Sequence, residues 1–74
     1  MNNDILQAII QSIKTYPTIK VNDIANLGKV FSIYNGQISS DQLLVEAQIF
    51  ISKGYFVVKN HRLHITQLGI DAQH

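Results

Sequence analysis

Hydrophobic periodicity changes at Gly54, and that change limits what the chain can fold into more than any other feature. Before it, Leu43, Leu44, Ala47, Phe50 and Ile51 recur every three or four positions, the period of a helix face. After it, Phe56 and Val58, then Leu63 and Ile65, alternate with other residues, the period of a strand. Between the two alternating runs stands Lys59-Asn60-His61-Arg62, where the chain must reverse. Gly54 itself suits the left-handed residue that closes a helix. Ser39 and Gln42 have the spacing of a capping box at the other end. The pattern predicts a helix near 40–53 running straight into a hairpin with strands near 55–59 and 62–66.

Two more helices precede this unit. In "NNDILQAIIQSIKTY", Ile5, Leu6, Ile9, Ile10 and Ile13 share one arc, with Gln7, Gln11 and Lys14 opposite. Asn2, Asn3 or Asp4 can cap its start, and Pro17 disfavours helix at Tyr16, which predicts a helix near 3–15. "TIKV" is a short β-branched piece with Ile19 and Val21 on one face. Asn22 then offers a cap, and Ile24, Leu27, Val30, Phe31 and Tyr34 predict a second helix near 23–34. Gly28 within it costs about 1 kcal/mol relative to alanine. "YNGQ" reads as a turn, with Asn35-Gly36 supplying positive φ.

Composition removes several function classes. The chain has 74 residues, 46% hydrophobic and 15% charged, which suits one packed domain. It has no cysteine, so a disulfide framework and a zinc–thiolate site are both excluded. No apolar run approaches the ~18 residues of a membrane span, and "MNNDILQ" lacks a basic leader, so the expected location is cytoplasmic. A phosphate-binding glycine loop, a Gly-x-Ser-x-Gly elbow and a cysteine nucleophile are missing. Asp4, Asp23 and Asp41 fall at predicted helix starts, where capping explains them. The reading is therefore of a protein without enzymatic activity or cofactor. His61 and His64 tempt a metal assignment, but residues three apart on a strand point to opposite faces, so no metal site is expected.

Helix, short strand, helix, turn, helix and β-hairpin form an order that resembles the winged-helix superfamily, in its small bacterial or phage type. The likeness covers nearly the whole chain. It is sharpest in "FISKGYFVVKN", a lysine-glycine-aromatic exit from a helix, followed by "LHITQLGIDA". There Ile65, Thr66 and Gly69 match a hydrophobic-threonine-x-x-glycine close. The resemblance implies an α+β fold, a three-helix winged helix with a C-terminal β-hairpin wing, as a single domain over 1–74. It implies further a minor transcriptional regulator that binds double-stranded DNA as a homodimer. In such proteins the third helix enters the major groove and the hairpin tip touches the backbone or minor groove.

Two sets of candidate residues follow. At the tip, Lys59, His61 and Arg62, with Asn60, offer charge-assisted hydrogen bonds to phosphates. On the outward arc of the third helix lie Gln42, Val45, Gln48, Ile49, Ser52 and Lys53. Gln48 suits bidentate pairing with adenine, and Val45 or Ile49 suits contact with a thymine methyl. Lys53 is the one cation of that arc, and Asp41 and Glu46 oppose phosphate. The net charge of the chain is only +1, well short of the strongly basic balance usual for nucleic-acid binders. Val45 and Ile49, four apart, equally suit packing against another protein. The alternative function is therefore a protein-interaction module, an adaptor or inhibitor that does not bind DNA.

Overall fold

Residues 2–34 and 37–72 are described by the computed structural model of the chain. Along it run α1 (Asn2–Gln11), α2 (Leu27–Ile33), α3 (Ser40–Ser52), β1 (Phe56–Lys59), β2 (Arg62–Ile65) and α4 (Gln67–Ala72). The mixture of helices with an antiparallel hairpin is the expected α+β class. Among the described residues the count of three helices is corrected to four.

The apolar arc of α1 lies inside the molecule as its spacing requires: Ile5, Leu6, Ile9, Ile10 and Ile13 are all buried. The helix stops at Gln11 instead of 15, and Ser12 is the reason. Its buried hydroxyl donates back to the Ile9 carbonyl and accepts the N–H of Asn26 at 2.9 Å. A serine that satisfies a backbone group elsewhere competes with helix continuation. Beyond it the chain turns through bonds from Ile13 N–H to Ile10 and from Tyr16 N–H to Ile13.

The segment read as a strand at Ile19 and Val21, then a helix from residue 23, is built differently. Asn22–Ala25 runs antiparallel along β2, with Ile24 opposite His64. The N–H groups of Asn22 and Ala25 donate to the carbonyls of Ile65 and Leu63, and Ile65 N–H donates to Asp23, at 2.8–2.9 Å. Asn22 is not the helix cap but holds a left-handed φ of 77°. The cap is Asn26, whose side chain accepts the Lys29 N–H, so α2 starts four residues later than its pattern suggested. Four residues that the helical period could absorb are held extended by pairing with β2. The Asn35-Gly36 turn lies outside the described residues.

α3 matches its prediction closely. Ser39 accepts the Gln42 N–H at 3.1 Å, and Gly54 closes the helix at φ 84°. Leu43, Ala47 and Phe50 face inward; Leu44, assigned to the same arc, is 55% exposed. The buried stripe is narrower than the apolar pattern, because α3 packs on α1 and β1 along one line and Leu44 falls beside it.

The hairpin register pairs Phe56 with Ile65, Val57 with His64, Val58 with Leu63 and Lys59 with Arg62. That leaves a two-residue turn, Asn60-His61, with φ of 52° and 63°. Positive φ at both central residues is the type I′ turn that matches strand twist. Phe56, Leu63 and Ile65 are buried, whereas Val58, expected among them, is 53% exposed where the hairpin outruns the core.

α4 was not anticipated. Thr66 caps it: the hydroxyl accepts the Gly69 N–H at 3.2 Å and also lies against the carbonyl oxygens of Gly54 and Tyr55. A Cβ on Gly69 would collide with the Tyr55 carbonyl oxygen and lie 2.8 Å from the Ile65 side chain. The threonine-x-x-glycine spacing is thus a helix cap followed by the one residue small enough to let α4 dock. Ile38, in the link before α3, completes the core.

Candidate functional site

The hairpin turn is held by more than its own two strands. The ring nitrogens of His64 lie 3.0 Å from the Asn22 carbonyl oxygen and 3.3 Å from the Lys59 carbonyl oxygen. Lys59 Nζ donates to the Asn22 side-chain oxygen at 3.2 Å. These contacts tie the base of the turn to the extended segment Asn22–Ala25, which in turn leads into α2. The loop before that segment is closed by Asp23, whose carboxylate accepts from the Thr15 hydroxyl at 2.6 Å and from the Lys20 N–H at 2.9 Å. The Thr15 hydroxyl, then the Lys20 N–H, hold the Asp23 carboxyl below the usual aspartate range.

Lys59, Asn60, His61 and Arg62 are all exposed, but they divide into two groups. Lys59 is turned toward Asn22. His61 and Arg62 line an open groove of about 710 Å³ together with Lys14 and Lys29. The sequence reading missed both lysines, since nothing in their local pattern relates positions so far apart. Only the docking of Asn22–Ala25 on β2 brings them to the turn. His64 faces two carbonyl oxygens rather than a shared ligand position, and the described residues contain no cluster of three metal-ligating side chains.

On α3, Gln42, Val45, Gln48 and Ser52 are exposed as the helical period required. Ile49 is corrected to half-buried, so it is not a free member of that face. Lys53 sits with its Nζ 6.0 Å from the centre of the Tyr55 ring, which stacks on Phe50 at 6.2 Å. The lone cation of the α3 arc is therefore held by an aromatic face at the end of the helix. What α3 presents outward is the Asp41 carboxylate, amides, hydroxyls and the apolar pair Leu44 and Val45, with Val45 57% exposed.

Compared with models of protein families, with curated proteins and with solved structures, the chain matches none. Among the described residues no helix is long and apolar enough to cross a membrane.

Proposed function

We propose that the chain is a small winged-helix DNA-binding protein, a minor regulator of transcription acting in the cytoplasm as a homodimer. The observation that carries this reading is the exposed hairpin turn. It presents His61 on a two-residue reversal and Arg62 at the start of β2 beside it, and the base of the turn is bonded to the neighbouring extended segment. A cationic loop on a rigid support is what phosphate positioning demands. Gln42 and Gln48 on α3 would then read base edges, with little phosphate attraction of their own. One subunit offers only a few phosphate contacts, too few for tight binding near physiological salt, which favours a dimer.

The reading is tested by His61→Ala with Arg62→Ala in titrations of duplex DNA at several salt concentrations. Affinity is expected to fall about equally for all sequences, and the salt slope by about 0.9 per lost phosphate contact. A slope identical to wild type removes the turn from the interface.

One observation favours a second reading. Leu44 and Val45 are adjacent, exposed and apolar on a helix with no free cation, a surface suited to a partner protein. Val45→Lys would have to desolvate a charge in such a contact and would abolish it, while leaving a DNA complex at least as tight. Molar mass by light scattering beside duplex affinity separates the two.

A further inference from the structure

The chain's charge is almost balanced overall but not in its distribution. Three of its six lysines and arginines, Lys14, Lys29 and Arg62, line one groove together with His61, and none of its five carboxylates does. They come from three separate stretches: the turn after α1, the first turn of α2, and the hairpin turn. Their relative positions are fixed through the backbone. Ser12 accepts the Asn26 N–H at 2.9 Å, and Ala25 N–H donates to the Leu63 carbonyl at 2.9 Å. Cations gathered without an opposing carboxylate raise the local potential and attract an anion.

The form of the groove narrows the choice of anion. Lys14, Lys29, Arg62 and His61 are exposed, and Ile24, Leu27 and Leu63 add apolar surface to the lining. A site for one small phosphate compound would enclose it; this groove instead spreads its charges along an open channel. Among the described residues no phenylalanine or tyrosine lines it and His61 is its one ring, so it lacks the succession of aromatic faces on which single-stranded bases stack. Charges that contact phosphates without touching bases fit a duplex.

We propose that this groove is the principal phosphate-binding surface of the protein. One strand of duplex DNA lies along it, its phosphates in contact with Lys14, Lys29, His61 and Arg62. The inference rests on the DNA-binding reading and adds to it: the backbone is gripped on the α1–α2 side of the hairpin turn, and Lys14 and Lys29 match the turn in weight. The polar groups at the base, Ser12 and Asn26, shape the groove and are already bonded within the chain.

The experiment compares wild type with three variants, each shifting the net charge by two units, on a random short duplex titrated from low to moderate salt. Lys14→Gln with Lys29→Gln removes two of the groove's cations. Lys20→Glu makes the same change in net charge away from the groove. Gln42→Glu with Gln48→Glu challenges the α3 face. Unfolding midpoints of all four confirm that the substituted proteins fold. The expected result is a salt slope lower by about 0.9 for each of Lys14 and Lys29, with Lys20→Glu keeping the wild-type slope. An equal loss from Lys20→Glu would reduce the effect to net charge and overturn the groove. So would a wild-type slope in Lys14→Gln/Lys29→Gln alongside lost binding in the α3 variant, which leaves DNA binding itself standing. Wild type that binds no duplex at low salt ends both readings.

Discussion

Thr66 and Gly69 join the end of the chain to its middle through two small groups. The Thr66 hydroxyl caps α4 and bonds to the exit from α3, and Gly69 leaves the Tyr55 carbonyl the space it occupies. Gly69→Ala is expected to destabilise by about 1–3 kcal/mol, because the obstacle is backbone and cannot rotate away. Thr66→Val loses the cap and costs about 0.5–2 kcal/mol. Gly28→Ala is the contrast: only the Asn26 oxygen, at 3.3 Å, lies near the added methyl, and stability should be unchanged or slightly raised. Thermal unfolding of the three variants checks the ranking, and a Gly69→Ala midpoint equal to wild type would remove the close approach. Asp23 gives a pH dependence. Its folded carboxyl titrates below the ordinary value near 3.9, so its bonds stabilise fully above that value. The contribution is lost as pH falls through the lower folded value. Thr15→Val, which removes the largest cause, should therefore be less stable than wild type at neutral pH, and the difference should shrink below about pH 4. Urea midpoints at the two pH values measure it; a constant difference contradicts the assignment.

The elements divide by how local their causes are. α3 and the hairpin were legible because each determinant lies within a few residues: the Ser39 cap, the Gly54 stop, the alternation of Phe56, Leu63 and Ile65. The first half of α1 was legible for the same reason. What could not be read depends on distant partners. α1 ends early because Ser12 serves Asn26, and Asp23–Ala25 lies extended after the left-handed Asn22 because β2 offers the segment carbonyls and an N–H. α4 is too short for its period to register. The candidate site divides likewise: the turn residues were visible as a cluster, whereas Lys14 and Lys29 reach it only through tertiary pairing. His64 is the element-scale test, since its ring lies between Asn22 and Lys59. His64→Leu should cost on the order of 1 kcal/mol per hydrogen bond lost. Its signature is faster amide exchange at Asn22, Ala25 and Ile65, the groups that dock the extended segment. Exchange accelerated uniformly over all helices, with no excess at those three, would argue against a local clamp.

At the scale of the whole molecule, a net charge of +1 says little, and its placement says a great deal. Two of the carboxylates are engaged within the chain: Asp23 closes the 15–23 loop, and Asp71 accepts from Gln67 along α4. Two of the remaining cations are engaged, Lys59 with Asn22 and Lys53 with Tyr55. The groove keeps Lys14, Lys29, Arg62 and His61 exposed, and the small core of α1, α3 and the hairpin carries the elements that present them. The account therefore stands on where a duplex meets this surface. The most direct measurement is a heteronuclear NMR titration of the labelled protein with a short DNA duplex at low salt. Amide shifts are expected to cluster at Lys14, at Asn26 to Lys29 and at Asn60 to Arg62. A saturated complex in which none of those positions moves, or a spectrum that no amount of duplex changes, would contradict it.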